Sequence, residues 1–240
     1  SVCFFASGIS SSHNFILNFG EKKAGHMFFN LSEHDSVACQ FITELRDKTI
    51  QQDRLRFRKN IERLGQIMAY EISRKLPYLK KSVETPLGTA RASALETDPI
   101  LITVMRAGLP YFQGFLDFFD RSDCGFIGAH RKEGGKEVVI ELEYLATPSI
   151  SNRQIILIDP MLASGKSFVR SVNALLKHGT PSHLYIASLV AAPEGIKFIE
   201  ENLSVAHSIW TCALDDKLND QFYIVPGLGD AGDLCYGQKL

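Results

Sequence analysis

The sequence predicts an α/β fold, a parallel sheet flanked by helices. Three observations lead there. Short runs nearly continuous in Ile, Leu and Val, at residues 99–105, 154–158 and 184–190, read as strands buried on both faces. Helical patterns at 111–119, 167–177 and 193–203 follow those strands, the alternation that a parallel sheet with crossover helices requires. Finally, 240 residues with 45% hydrophobic and 22% charged composition suit one sizeable core, able to bury roughly 70% of the unfolded surface.

Taken in order, residues 1–26 carry Ser, Gly and Asn clusters without a sustained period. They read as a peripheral segment, with Gly25-His26-Met27 resembling a junction before a start at Met27. Residues 27–240 are expected to form a single domain. The pattern firms up from about Glu33, and residues 51–76 place Phe57, Ile61, Leu64, Met68 and Ile72 on one side at steps of three and four. That is a long amphipathic helix, and its charges read as a solvated face. Beyond Pro77 come the strand at 99–105, a helix near 111–119 and a strand near 124–129. Gly134-Gly135 then separates two strand-like runs, so residues 131–148 read as a projecting β-hairpin arm. The strand at 154–158, a helix at 167–177, a strand at 184–190, a helix at 193–203 and a strand at 205–212 complete the alternation. Residues 223–233 hold three glycines and a proline, too many for a regular element.

Composition excludes several classes. Lys and Arg total 26 against 27 Asp and Glu, a net charge of −1, so no general nucleic-acid grip is expected and any anion must be held by locally placed cations. No apolar run has the roughly 18 residues of a membrane helix, and the first residues lack a secretory pattern. Cys3, Cys39, Cys124, Cys212 and Cys235 are an odd number without CxxC pairs, which suits reduced thiols in a cytoplasm.

In open sheets of this kind ligands bind beyond the carboxyl ends of the strands. The strand at 154–158 ends in Asp159-Pro160-Met161-Leu162-Ala163-Ser164-Gly165-Lys166-Ser167. A strand delivers an acid, and small residues then open a helix whose free N–H groups favour a phosphate; Asp159 is placed to accept hydrogen bonds from sugar hydroxyls. An ordinary strand-to-helix turn fits the segment equally. It is not a Walker loop, because that motif requires glycine where Pro160 stands. Arg106, in the turn after the first strand, could offer a bidentate fork to a diphosphate or make a surface ion pair, and Arg131 has the same two readings. The glycine-rich 223–233 segment could read the edge of a small planar heterocycle through its amides, with Asp230 beside it, or form a solvent turn.

Together these stretches resemble the uracil phosphoribosyltransferase family of the type I phosphoribosyltransferase superfamily. IILIDPMLASGKS is similar to the family's phosphoribosyl diphosphate (PRPP) signature, VMRAGLP to its LRAGLG, and YIVPGLGDAGD to its carboxyl-terminal uracil loop. LRDKT, AYEISRKL and VETPLG extend the resemblance, which runs from about Leu45 to Gly237. It implies a type I phosphoribosyltransferase sheet with an N-terminal helical segment, a hairpin arm and a C-terminal hood loop. The implied reaction joins uracil N1 to the anomeric carbon of PRPP, giving UMP and diphosphate. In that reading Asp159, Arg106 and Asp230 are catalytic. PRPP is held by Arg106, Arg131, the 159–167 run and Asp230, and uracil by Ile224, Gly229, Asp230 and Ala231. Mg²⁺ is expected to arrive with the donor and water, without a protein cage, and a homodimer or homotetramer is expected. GTP activation, found in some relatives, is left open.

Departures from the family pattern are Lys166 in place of a glycine, Ser164 in place of Thr, Leu234 in place of a basic residue, and no Tyr-Tyr-x-Lys run at 143–148. Lys166 could face solvent or add a cation to the phosphate site. Two other readings fit the same fold. One is a nucleotide- and RNA-binding regulator on the same fold, which should have a basic surface and no uracil loop; the other is a homologue without catalysis.

Overall fold

The computed structural model describes residues 27–132 and 139–238. Residues 1–26 and the tip of the expected 131–148 arm lie outside the described residues. Strand β1 (Met27–Asn30) opens the domain, followed by helix α1 (Val37–Arg46), whose amides are capped by the Ser36 hydroxyl, and helix α2 (Arg54–Ser73), capped by the Asp53 carboxylate. Next come β2 (Tyr78–Thr85), β3 (Gly88–Leu95), β4 (Ile100–Met105), α3 (Gly108–Leu116), β5 (Cys124–Lys132) and β6 (Val139–Ala146). The second half holds β7 (Gln154–Ile158), β8 (Met161–Leu162), α4 (Lys166–Leu175), β9 (His183–Ala191), α5 (Pro193–Asn202) and β10 (His207–Leu214). Short strands β11 (Lys217–Leu218) and β12 (Ile224–Val225) and helix α6 (Ala231–Tyr236) end it. Among the described residues no helix is long and apolar enough to cross a membrane.

The main sheet runs β1-β10-β9-β7-β4-β5-β6, with β8 added to β9, and every pairing is parallel except β5 with β6. Alternate side chains of each strand face opposite layers. Leu101, Ile156 and Ile158 pack under α2 and α3 with Phe57, Ile61, Leu64, Met68 and Tyr111. Ile100, Ile102, Ile155 and Leu157 pack under α4 and α5 with Phe168, Val172, Ile196 and Ile199. The stripe expected on α2 is therefore the face that covers the sheet; Ile61, Leu64, Met68 and Ile72 are fully buried.

The expected 131–148 hairpin is rooted in the antiparallel pair β5–β6 at the edge of the main sheet; this pair runs on past Gly128, the last residue of β5 paired with β4. The hairpin that forms a separate sheet is β2–β3, paired in register from Tyr78↔Leu95 to Thr85↔Gly88 and largely exposed. Its sequence is rich in Lys, Thr, Ser and Ala, and its few large apolar residues, Tyr78, Leu79 and Val83, are too sparse for hydrophobic alternation to reveal it.

From β4 the chain moves one way to β5 and later returns to the other side at β7. The crevice where an open sheet binds ligands therefore lies between the carboxyl ends of β4 and β7.

Candidate active site

β4 and β7 end side by side, with Thr103 in register with Ile158 and its hydroxyl donating to the Ile158 carbonyl at 3.3 Å. The next residues are therefore neighbours: Arg106 after β4, across a cis Met105–Arg106 peptide, and Asp159 after β7. Asp159 is tied to β9 by its N–H, which donates to the Ala187 carbonyl at 3.1 Å, and its Oδ1 accepts the Met161 N–H at 3.2 Å. Burial pushes the Asp159 carboxyl up to about 7, against the opposing pull of that one N–H.

Beyond Asp159 the chain is stitched to β9. The Pro160 carbonyl accepts the Leu189 and Val190 N–H groups, and the Leu162 carbonyl accepts that of Ala192. Pro160 and Leu162 are buried, whereas Asp159, Met161, Ala163, Ser164, Lys166 and Ser167 remain partly accessible. Gly165 is the N-cap of α4, with φ of 74° and no side-chain cap over the first amides of the helix. A Cβ at Gly165 would lie 2.6 Å from the Gly195 carbonyl oxygen, so both the left-handed backbone and the tight approach of α5 demand glycine. The result is a helix amino end with uncapped N–H groups, flanked by Ser164 and Ser167, at the open edge of the sheet. Lys166 begins α4 and holds its ammonium 5.9 Å from the centre of the Phe222 ring.

The carboxyl-terminal segment closes over Arg106. The Arg106 Nη2 donates to Asp233 Oδ1 at 3.2 Å, and both terminal nitrogens reach the Gly237 carbonyl at 3.4 Å. Its Nε is buried and has no hydrogen-bond partner among the described residues. Asp230 caps α6, its Oδ1 accepting the Asp233 N–H at 3.0 Å. The segment expected to be wholly irregular thus contains β12 before its turn and α6 after it, because Asp230 supplies the cap that starts the helix. Ile224 and Ala231 are buried and Gly229 and Asp230 exposed. A cavity of about 470 Å³ adjoins this loop from the α2 side, lined by Gln51, Gln52, Arg54, Gly229, Asp230, Asp233, Leu234 and Gln238.

The Arg106, Asp159 and Asp230 turns therefore share one end of the sheet. Thr103 joins the first two, Arg106 grips the α6 segment that follows Asp230, and Lys166 reaches the loop that leads into Ile224. Arg131 lies on β5, three residues past Gly128, the partner of Met105, so its backbone runs beyond the carboxyl end of β4. Among the described residues no group of three or more His, Cys, Asp or Glu is placed to hold a metal ion. Asp233, which meets Arg106, was not among the expected site residues; its position one turn into α6 becomes visible only once Asp230 is recognised as a cap.

Comparison with known proteins gives the same direction. The family model described as uracil phosphoribosyltransferase matches residues 32–238. A curated uracil phosphoribosyltransferase of Porphyromonas gingivalis is 45% identical over 212 residues, covering 88% of this chain and 98% of its own. One of Pediococcus pentosaceus is 40% identical over 217 residues, covering 88% and 99%, and one of Pyrococcus furiosus is 36% identical over 211 residues, covering 87% and 89%. A solved structure of an Aquifex aeolicus protein superposes with a TM-score of 0.79 at 30% identity, covering 88% of this chain and 98% of that one.

Proposed function

The chain belongs to the uracil phosphoribosyltransferase family, and from that premise we propose that it forms UMP and diphosphate from uracil and PRPP. The observation that carries this reading is the meeting of an arginine fork, a half-buried acid and uncapped helix amides beside a glycine-rich loop at the sheet's crevice.

In the reaction the bond between uracil N1 and the anomeric carbon forms as the bond from that carbon to diphosphate breaks. The bonding pair departs with diphosphate, and the N1 proton passes to water or to the departing diphosphate. Asp159 accepts hydrogen bonds from the ribose hydroxyls, and the amides of Ala163 to Ser167, with the Ser164 and Ser167 hydroxyls, hold the 5-phosphate. Pro160, Met161 and Leu162 shape that turn through their ties to β9. Arg106 neutralises the leaving diphosphate, with Arg131 as a second cation for it. Uracil is read by the backbone at Ile224, Gly229 and Ala231, with Asp230 between the two substrates. Charge builds on the leaving group and no covalent intermediate forms, so orientation and electrostatic stabilisation supply the rate.

A lone, partly accessible Asp159 at the donor site suits an ion that arrives with the donor better than one caged by protein. Mg²⁺ bound to PRPP supplies neutralising charge to the diphosphate. The free thiols Cys39, Cys124, Cys212 and Cys235 suit a reducing cytoplasm. The exposed Tyr78, Leu79 and Val83 of the β2–β3 hairpin support assembly of copies into a homodimer or homotetramer.

The test is direct. Purified protein with uracil, PRPP and Mg²⁺ should form UMP, and Asp230→Asn should lower turnover sharply. Binding of both substrates without UMP would overturn the assignment.

A further inference from the structure

We propose that Arg46 and Asp215 form a clamp that holds the uracil-reading loop in its binding shape, acting as positioning residues for the pyrimidine. The idea rests on the reading of function above.

Neither residue belongs to the substrate turns. Arg46 ends α1, and Asp215 follows β10, 169 residues later, so only the fold brings them together. Their contact is bidentate: Arg46 Nη2 to Asp215 Oδ1 at 2.5 Å and Arg46 Nη1 to Asp215 Oδ2 at 3.0 Å. The Asp215 side chain is 4% exposed. This pair does more than join α1 to β10, because it engages both polar groups of one residue in the loop. Gly227 donates its N–H to Asp215 Oδ2 at 2.8 Å, and its carbonyl accepts Arg46 Nη1 at 3.1 Å.

Gly227 is where the chain turns from β12 toward Gly229, Asp230 and Ala231. Its φ is 63°, and a Cβ there would lie 2.2 Å from the Ile224 carbonyl oxygen, so its backbone packs onto Ile224 itself. Fixing Gly227 from both sides therefore fixes Ile224 on one flank and Gly229 to Ala231 on the other. A loop that reads its ligand through backbone groups has no side chains to adapt, so its affinity depends on being ordered beforehand. Two charge-assisted bonds from a half-buried arginine and its buried carboxylate supply that order without touching the substrate.

A purely structural ion pair would affect stability alone, and a second pair that also starts from α1 provides the comparison. Arg56 Nε meets Glu44 Oε2 at 2.8 Å, joining α2 to α1, and no hydrogen bond of this pair reaches the loop. In the full-length protein Arg46→Gln should raise the KM for uracil about 10- to 100-fold, the equivalent of losing a charge-assisted bond, while the KM for PRPP changes by less than about twofold. Arg56→Gln should leave the uracil KM where it is. Amide hydrogen exchange in the ligand-free protein should quicken across residues 226–231 in Arg46→Gln and not in Arg56→Gln. Should Arg46→Gln fail to fold, the pair Arg46→Met with Asp215→Leu leaves no unpaired buried charge and should keep the fold, the faster exchange and the raised uracil KM. Unchanged exchange across 226–231 would overturn the clamp, as would equal rises in the KM for both substrates. If the unmodified protein forms no UMP the functional reading falls instead, and the exchange comparison still decides the clamp.

Discussion

Asp159→Asn should make the protein more stable and less active, and the stability gain should follow pH. The carboxyl is held near 7 by burial, against 3.8 for an unhindered group. Three pKa units at 1.36 kcal/mol each bound the penalty for ionising it in the fold at about 4 kcal/mol. Because the folded pKa lies above the unfolded one, the unfolded chain releases this proton first. Wild-type stability from this group therefore falls as pH rises from 3.8 and levels off above 7. Asn never ionises and still accepts the Met161 N–H, so the difference between variant and wild type should be absent near pH 3 and grow through the window. Above pH 7 it should plateau at about 4 kcal/mol, or about 8–16 °C in Tm for a chain of this size. Thermal unfolding of both proteins across pH 3 to 8 measures it, while UMP formation should drop because Asn cannot supply two carboxylate oxygens to the ribose. A Tm difference that is the same at both ends of the range would refute the ionisation argument.

Two further substitutions test how the phosphate turn is built. Gly195→Ala places a Cβ 2.1 Å from the Ala163 carbonyl oxygen, a backbone atom that cannot step aside without moving the turn. Despite alanine's helix preference, it should cost about 1–3 kcal/mol in chemical denaturation and raise the KM for PRPP. Lys166→Ala removes an ammonium that rests on Phe222 at a partly exposed site, so stability should fall by no more than about 1 kcal/mol. If Lys166 swings to the phosphate when PRPP binds, the KM for PRPP should rise severalfold and become less sensitive to salt; an unchanged KM and salt dependence would leave Lys166 to the Phe222 loop alone.

What the sequence reveals is what local chemistry determines. β7 spans the expected 154–158, and β4, β9 and β10 fall within a few residues of their apolar runs, because strands buried on both faces must be apolar throughout. The α2 stripe is legible for the corresponding reason in a helix. β2–β3 is not, since a hairpin that stands off the core needs only sparse apolar residues and shows no strong alternation. Likewise Asp159 and Arg106 announce themselves at strand ends, whereas Asp233 and the Arg46–Asp215 pair gain their partners across 127 and 169 residues. Periodicity and motif spacing reach only as far as one element and its turn.

The grip of Asp233 on Arg106 completes the electrostatic argument. In a chain with net charge −1 no general field draws the donor in, so an arginine in the role proposed for Arg106 must be held ready without being lost to its internal partner. The Arg106 and Asp233 side chains are 37% and 34% exposed, a setting in which an ion pair is worth about 0–1 kcal/mol. A diphosphate offers more negative charge and a bidentate match to the fork, so it can displace Asp233 at small expense. Had the same pair been as buried as Arg46 with Asp215, exchanging partners would strand a charge, and the arginine would serve the fold instead of the donor.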